Sequence, residues 1–188
     1  MRHILFALSC VLLLSSCATS VSSIKNDALF VNDPSSNASL SDGYLLIGVE
    51  TNRDLKNIFI SGTRAIKLSH EDLRFGTNYI LINLAAGDYL IDSVALNSYQ
   101  KLRLADEENW RFEVKPNTIS YIGHLELQSR GFFSLVSRVE LVNRSTEALE
   151  FMESDFPTIL SARKMYFGGP SDDYFFSYLN AELVIDEN

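Results

Sequence analysis

The chain has few cysteines and prolines and no excess of positive charge. Its 188 residues include four prolines and only two cysteines, Cys10 and Cys17. The part of the chain that follows Cys17 therefore has no cysteine with which to form an internal disulfide. Sixteen basic residues stand against 24 acidic ones, a formal net charge of −8. This charge excludes the basic surface of a nucleic-acid-binding protein and predicts repulsion from anionic lipid.

The sequence also lacks an apolar run long enough to cross a membrane as a helix. Its longest run, Ile4–Leu14, is 11 residues, whereas a spanning helix needs about 20. Arg2 precedes this run and Leu14-Ser15-Ser16-Cys17 ends it. The order of a positive residue, a short apolar run and small residues is typical of an export signal. With a cysteine directly after the small residues, the segment resembles the lipobox of bacterial lipoproteins.

The resemblance to the lipobox implies cleavage between Ser16 and Cys17, removal of residues 1–16 as a signal peptide, and a covalent lipid on Cys17. Ala18 follows the cysteine, and in that family such a residue implies an address on the periplasmic face of the outer membrane. The lipid would then be the membrane anchor, and no other cofactor is expected. The alternative is an ordinary secretory signal with a chance cysteine.

A serine-rich segment follows the predicted lipidation site. Residues 17–42 contain seven serines and the turn sequence Asn32-Asp33-Pro34, which predicts a flexible tether. Within it, Ala28–Val31 is apolar and could form a short edge strand. From Gly43 onwards the pattern changes, so residues 43–188 are predicted to form the folded domain.

The domain is predicted to be mainly β because short apolar runs alternate with turn residues. Around Trp110 and Phe112 the apolar and charged residues alternate strictly. This period of two predicts that Trp110, Phe112 and Tyr121 face one packed layer. Many short strands of this kind predict an antiparallel β-sandwich. The same alternation assigns Ile119, Tyr121 and Leu125 to the interior and Ser120, His124 and Glu126 to the solvent.

One helix is predicted over residues 145–156. Ser145 is a suitable cap, Leu149, Met152 and Phe156 share one face, and Pro157 follows. The glutamates Glu147, Glu150 and Glu153 are assigned to its exposed side. The remaining C-terminal runs, 159–167 and 174–185, are predicted to be extended.

Three short motifs occur in an order that resembles a known family. They are Leu84-Ala85-Ala86-Gly87-Asp88-Tyr89, Phe112-Glu113-Val114-Lys115-Pro116-Asn117 and Tyr121-Ile122-Gly123. The set is similar to small bacterial lipoproteins with a prealbumin-like β-sandwich, although Asn117 stands where that family usually has glycine. The resemblance covers about residues 43–143 and implies a fold but no chemistry.

Residues that could bind a metal are scarce. His124 and Glu126 would share a face of a strand, so they are the weak candidates, but a site needs three or four ligands. An exposed polar pair is the preferred interpretation. His70-Glu71-Asp72 is interpreted as a solvated turn, and the acidic segments Asp106-Glu107-Glu108 and Asp172-Asp173 as solvated loops.

No motif for nucleophilic catalysis is present, so the chain is expected not to be an enzyme. The sequence favours a non-catalytic binding or structural module of the cell envelope, with another envelope protein or polymer as partner and no role for nucleic acid. The alternatives are a hydrolase of envelope polymer and a metal-binding periplasmic protein. A cleft lined by converging carboxylates would favour the hydrolase.

Overall fold

The computed structural model describes residues 18–25, 27, 41–104, 108–130 and 135–186. Cys17, and with it the predicted cleavage and lipidation, lies outside the described residues. The strands are β1 (Thr19–Val21), β2 (Asp42–Thr51), β3 (Asn57–Gly62), β4 (Ile66–Ser69), β5 (Gly76–Ala85), β6 (Gly87–Ala95), β7 (Lys101–Arg103), β8 (Arg111–Val114), β9 (Ile119–Arg130), β10 (Leu135–Val142) and β11 (Met165–Phe167). The helices are α1 (Ser145–Asp155), α2 (Pro157–Ala162) and α3 (Phe175–Asp186).

The strands form two sheets that pack into a β-sandwich, as the sequence predicts. The first sheet has the order β1-β4-β3-β6-β7, and β8 pairs with the other end of β6. The second has the order β10-β9-β2-β5, with β11 beside β9. Both sheets are mixed rather than purely antiparallel, because β1 with β4, β2 with β9 and β11 with β9 run parallel.

Two hydrophobic cores lie on opposite faces of the second sheet. Alternate residues of β2 show this division: Leu45 and Ile47 point into the core between the sheets, and Tyr44 and Leu46 point into a core covered by the helices. Because both faces of β2 are covered, its sequence is almost continuously apolar rather than alternating. The second sheet is therefore the middle layer of the molecule.

A bulge in β9 changes which face its residues occupy. Leu46 pairs with Tyr121 and Gly48 with His124, so β9 has one residue more than β2 over this stretch. Gly123 lies there with φ +112°, a conformation that favours glycine. Ile119 and Tyr121 consequently face the helices, whereas Leu125 faces the first sheet.

The predicted faces around this bulge are therefore partly wrong. Trp110 and Phe112 do lie in the core between the sheets, but Tyr121 lies in the other core. The residues that alternation assigns to the solvent, Ser120, His124 and Glu126, are all buried. Simple alternation fails because it presumes an unbroken strand and a single covered face.

The first part of the predicted tether belongs to the folded domain. β1 pairs with β4 at the edge of the first sheet, and the Ile24 N–H then bonds the Leu81 carbonyl on the edge of the second sheet, 2.8 Å away. The Asp27 carboxylate accepts the backbone N–H groups of Thr158 and Ile159 at 2.8 and 3.1 Å. This N-terminal strap (residues 19–25 and 27) bridges both sheets and caps α2. Residues 28–40, with Ala28–Val31, lie outside the described part.

Helix α1 matches the predicted helix, but its start differs. Ser145 is its first residue rather than its cap, and Asn143 accepts the Ser145 N–H at 3.0 Å. Pro157 ends α1 and begins α2. The prediction of extended chain holds at β11 and is wrong for α2 and α3. In the segments that form α2 and α3 the apolar residues follow one another closely, and such a run is compatible with a buried strand as well as with a buried helix. No helix in the described ranges is long and apolar enough to cross a membrane.

Candidate functional site

An open cleft lies at one end of the first sheet, beside the edge strand β8. It has a volume of about 630 Å³, which is within the range of small-ligand sites. One wall is the outer face of β6 and β8, and the other is the loop 168–174 that follows β11. We call it the edge cleft. Its lining includes Asp88, Arg111, Glu113, Tyr166, Asp172 and Tyr174.

Glycine brings the loop close to β8. The Glu113 N–H bonds the Gly168 carbonyl at 2.9 Å, and the Gly168 N–H bonds the Tyr121 carbonyl at 2.8 Å. A Cβ on Gly168 would lie 2.3 Å from the Glu113 carbonyl oxygen, so no larger residue fits without displacing the backbone. From the sequence, Gly168-Gly169-Pro170 is recognisable only as a break between segments.

Asp173 fixes the far end of the loop. Its carboxylate accepts bonds from the Asn143 amide at 2.8 Å, the Ser145 hydroxyl at 2.5 Å and the Phe175 N–H at 2.8 Å. Burial would raise the pKa of Asp173, but the bonds from Asn143, Ser145 and Phe175 lower it overall. Asp172 is exposed, as expected of a solvated loop, whereas Asp173 is a structural residue that ties the loop to the start of α1.

The cleft wall places charged groups next to one another. Asp88 on β6 and Glu113 on β8 are directly paired across the strands, and the next outward pair is Leu90 with Arg111. The side chain of Arg111 is exposed and forms no ion pair or hydrogen bond with any residue that the structure describes. Two carboxylates opposite one another repel, and an exposed guanidinium nearby can bind a negative group.

Two tyrosines contribute aromatic surface to the cleft. The Tyr174 side chain is 63% exposed at the start of α3. Tyr166 is half-buried, and the Lys115 ammonium lies 3.2 Å from its ring centroid. The arrangement of ring faces beside charged and hydrogen-bonding groups suits a polar ligand that also has apolar faces.

The weak metal candidates His124 and Glu126 share a face, but that face is covered. His124 is fully buried, and its Nδ1 lies 2.7 Å from the Tyr121 hydroxyl, which also accepts the Arg144 N–H at 3.0 Å. The His124 ring lies against Gly48, where a Cβ would be 2.2 Å from it. An exposed polar pair is therefore the wrong interpretation of His124 and Glu126.

Arg144 forms ion pairs with three glutamates of this region. Its guanidinium bonds Glu126 and lies 3.0 Å from Glu50 and 3.4 Å from Glu147. The bond to Glu126 raises the pKa of Arg144. Sequence reasoning missed Arg144, because its partners lie on β2, β9 and α1 and no local spacing connects them.

Burial makes His124 hard to protonate. Desolvation, reinforced by the nearby Arg144 charge, lowers the pKa of His124 to about 4. Its Nε2 is buried without a hydrogen-bond partner among the described residues. Burial likewise raises the pKa of the Tyr121 hydroxyl. Within the described ranges no group of three or more His, Cys, Asp or Glu side chains could hold a metal.

The other acidic motifs have structural or solvated positions. His70–Asp72 forms a short 3-10 turn in which His70 and Glu71 are exposed, as predicted. Asp72 is buried instead, where it accepts the Ser23 N–H at 2.8 Å and pairs with Lys25 of the N-terminal strap. Glu147, Glu150 and Glu153 are exposed along α1, and Glu108 is also exposed. Asp106 and Glu107 lie outside the described residues.

Comparison of this chain with models of protein families, with curated proteins and with solved structures finds no match.

Proposed function

We propose that this protein is a bacterial outer-membrane lipoprotein, anchored through lipid on Cys17, that binds an envelope polymer in the edge cleft without catalysing a reaction. The order of Arg2, the apolar run Ile4–Leu14 and the sequence Leu14-Ser15-Ser16-Cys17 supports the anchor. The cleft supports the binding role. Its residues come from β6, β8, β11 and the loop 168–174.

The observation that carries the binding role is the position of Arg111. It is an exposed cation without a partner among the described residues, in a cleft that also contains the exposed ring of Tyr174. A guanidinium binds carboxylates and phosphates in a two-pronged geometry, and a tyrosine ring packs on the apolar face of a sugar. The combination fits a polymer of sugars that carries negative groups, such as the carboxylate-bearing glycan of the bacterial wall.

The N-terminal strap suggests how the anchor would hold the domain. β1 begins at Thr19, so Ala18 alone separates it from Cys17. A lipid on Cys17 would keep the domain close to the bilayer instead of on a long tether. Because the 3-residue strand β1 pairs with β4, it would connect the lipid anchor directly to the first sheet.

Replacing Cys17 by alanine is expected to abolish lipid attachment. Cys10 would be removed with residues 1–16, so the Cys17 thiol is the one that would receive the diacylglycerol; without it a fatty-acid analogue should no longer label the protein and the domain should leave the membrane fraction. Ser15→Ala is the matched control and should be labelled normally. A Cys17→Ala protein that stays with membranes through high-salt and carbonate washes would contradict the anchor.

Replacing Arg111 by alanine is expected to weaken binding of soluble wall fragments about tenfold or more, as loss of a charge-assisted hydrogen bond does. Titration calorimetry with purified muropeptides measures the change. Arg103→Ala is the matched control, since Arg103 is also exposed and lies on β7, which pairs with the opposite end of β6. Equal affinities of the Arg111→Ala, Arg103→Ala and unaltered proteins would refute the cleft as the site.

A hydrolase of the same polymer is the second candidate, favoured by the facing carboxylates of Asp88 and Glu113. Side chains directly opposite on antiparallel strands have Cβ atoms about 5 Å apart, and retaining glycosidases hold their two carboxyl groups at about 5–5.5 Å. Both residues are exposed, however, and a catalytic acid ordinarily lies in an enclosed site. Chromatography of the fragments after prolonged incubation distinguishes the two: new products that disappear with Asp88→Asn would favour the hydrolase.

A further inference from the structure

The charges that line the edge cleft do not suit a ligand with negative groups alone. Among the described lining residues four are acidic, Asp88, Glu113, Asp172 and Asp173, and one is basic, Arg111. The carboxylate of Asp173 is already occupied by three hydrogen bonds within the protein. The other three carboxylates remain beside one free guanidinium. A purely anionic ligand would bind Arg111 but would be repelled by the rest of the lining.

Two of these carboxylates form a pair that can bind a cation. Asp88 and Glu113 lie directly opposite one another on β6 and β8, and both are exposed. Asp88 forms no ion pair with any residue in the described ranges, and Glu113 has only the Lys115 ammonium, 4.0 Å away. A cation between the two carboxylates would relieve their mutual repulsion. An ammonium group has three N–H donors and can therefore bond both at once.

An ammonium fits this pair better than a metal ion does. A divalent cation such as Ca²⁺ takes six to eight oxygen ligands. Asp88 and Glu113 are two residues, and no larger group of metal-binding side chains occurs in the part of the chain that the structure describes. The required partner is thus a singly charged group that donates hydrogen bonds.

Arg111 provides the opposite charge on the same face of β8. Arg111 and Glu113 are two residues apart on the strand, so their side chains point to one side, and Phe112 between them points into the core. Two residues of a strand extend about 7 Å. The cleft wall therefore offers a site for a carboxylate and a site for an ammonium within the length of one amino-acid residue.

The position of Lys115 shows that the cleft border accommodates an ammonium. Its Nζ lies 3.2 Å from the ring centroid of Tyr166 and 4.0 Å from the Glu113 carboxylate, and both of these residues line the cleft. Contact with a ring face and a carboxylate stabilises a cation at this position. A second ring face, that of Tyr174, is 63% exposed and open to a ligand. Lys115 would compete with a ligand ammonium for Glu113.

We propose that the edge cleft recognises a peptide branch of the wall polymer that carries a free ammonium group near a carboxylate. The ammonium binds between Asp88 and Glu113, and the carboxylate binds Arg111. A diamino acid in the branch meets this requirement, because one amine forms the peptide bond and the other keeps its charge. This inference rests on the proposed function and names the part of the polymer that the cleft binds.

The test compares two forms of one purified muropeptide, one with its free amine and one acetylated on that amine. Titration calorimetry gives both dissociation constants, and their ratio isolates the contribution of the ammonium. Acetylation should weaken binding to the unaltered protein about tenfold, since two exposed ion pairs are lost. In the double variant Asp88→Asn, Glu113→Gln the ratio should fall to about one. Glu71→Gln, which changes an exposed carboxylate at the other end of the first sheet, is the matched control and should keep the ratio.

Lys115→Gln should change the ratio in the opposite direction. Removal of the competing ammonium leaves Glu113 free for the ligand, so the preference for the free amine should rise about threefold. A purely structural role of Glu113 would not produce this gain. Lys101→Gln is the matched control, because the Lys101 ammonium also lies over a ring, that of Phe59 at 5.7 Å, but on β7. It should leave the ratio as it is.

Arg111→Ala separates this inference from the proposed function. The substitution should weaken both forms of the muropeptide equally and leave their ratio unaltered. Binding that depends on Arg111 but is the same for the free and the acetylated form would overturn the inference alone. An unchanged ratio in the double carboxylate variant, verified as folded by circular dichroism, would also overturn it. Absence of binding for both forms would refute the proposed function and the inference together.

Discussion

Replacing Phe112 by alanine is expected to lower the free energy of unfolding by about 3–5 kcal/mol. Phe112 is only 4% exposed and lies in the core between the sheets. Its ring stacks on that of Tyr89, with centroids 5.6 Å apart and planes 16° from parallel. Alanine would leave a cavity between the sheets next to a short strand of four residues, β8. Urea unfolding followed by circular dichroism measures the loss.

Glu113 provides the control for this prediction. It is the next residue of β8, and its side chain is half exposed on the opposite face. Glu113→Ala should change the free energy of unfolding by no more than about 0.5 kcal/mol, as ordinary surface changes do. Equal losses for Phe112→Ala and Glu113→Ala would show that the register of β8 is not the one described.

Stability is expected to fall by about 3 kcal/mol between pH 6.5 and pH 4 because His124 is buried. The pKa of His124 is about 4 in the folded protein, below the ordinary value of 6.5 that applies after unfolding. Between these values the unfolded chain binds a proton that the folded protein does not. Acidification therefore favours unfolding, and the stabilisation that is fully present above pH 6.5 is lost as the pH approaches 4.

Two histidine variants isolate this effect. His124→Gln removes the titrating ring and keeps a side-chain acceptor for the Tyr121 hydroxyl, so its stability should vary by about 3 kcal/mol less over the same pH range. His70→Gln changes an exposed histidine and should leave the pH dependence as it is. Urea unfolding at a series of pH values provides the curves. Parallel curves for His124→Gln and the unaltered protein would contradict the assignment to His124.

Local sequence patterns predicted those strands and helices whose structure depends on residues that are close together in the sequence. The alternation around Phe112 correctly placed that residue between the sheets, and the spacing of Leu149, Met152 and Phe156 correctly predicted α1. The C-terminal segments that form α2 and α3 were not predictable in this way. A short apolar run has no clear period, and packing against the second sheet decides between helix and strand.

The edge cleft was beyond prediction from local patterns. Asp88, Arg111 and Tyr174 are far apart in the sequence and meet only because β6 pairs with β8 and the loop 168–174 folds back on it. The facing carboxylates of Asp88 and Glu113 depend on the register of one strand pair. Loop 168–174 approaches β8 closely because Gly168 has no side chain.

The net charge of the whole chain does not describe the charge of each part of its surface. A value of −8 predicts repulsion from anionic lipid. The fold nevertheless leaves the side chain of Arg111 exposed in the edge cleft, without an ion-pair partner among the described residues. Electrostatic attraction falls off over about 10 Å in salt, so the charges within the cleft, and not the net charge of the chain, decide what the cleft attracts.

The sequence by itself determined that the chain forms a β-sandwich with a helix near residue 150, because hydrophobic periodicity within a strand or helix is a local property. Only the tertiary structure decided that Tyr121 and His124 share a buried face, since the bulge at Gly123 shifts the alternation by one residue. It likewise decided that residues 19–25 close the edges of both sheets. Both outcomes depend on partners distant in the chain, whose positions follow from the packing of layers and not from the order of neighbouring residues.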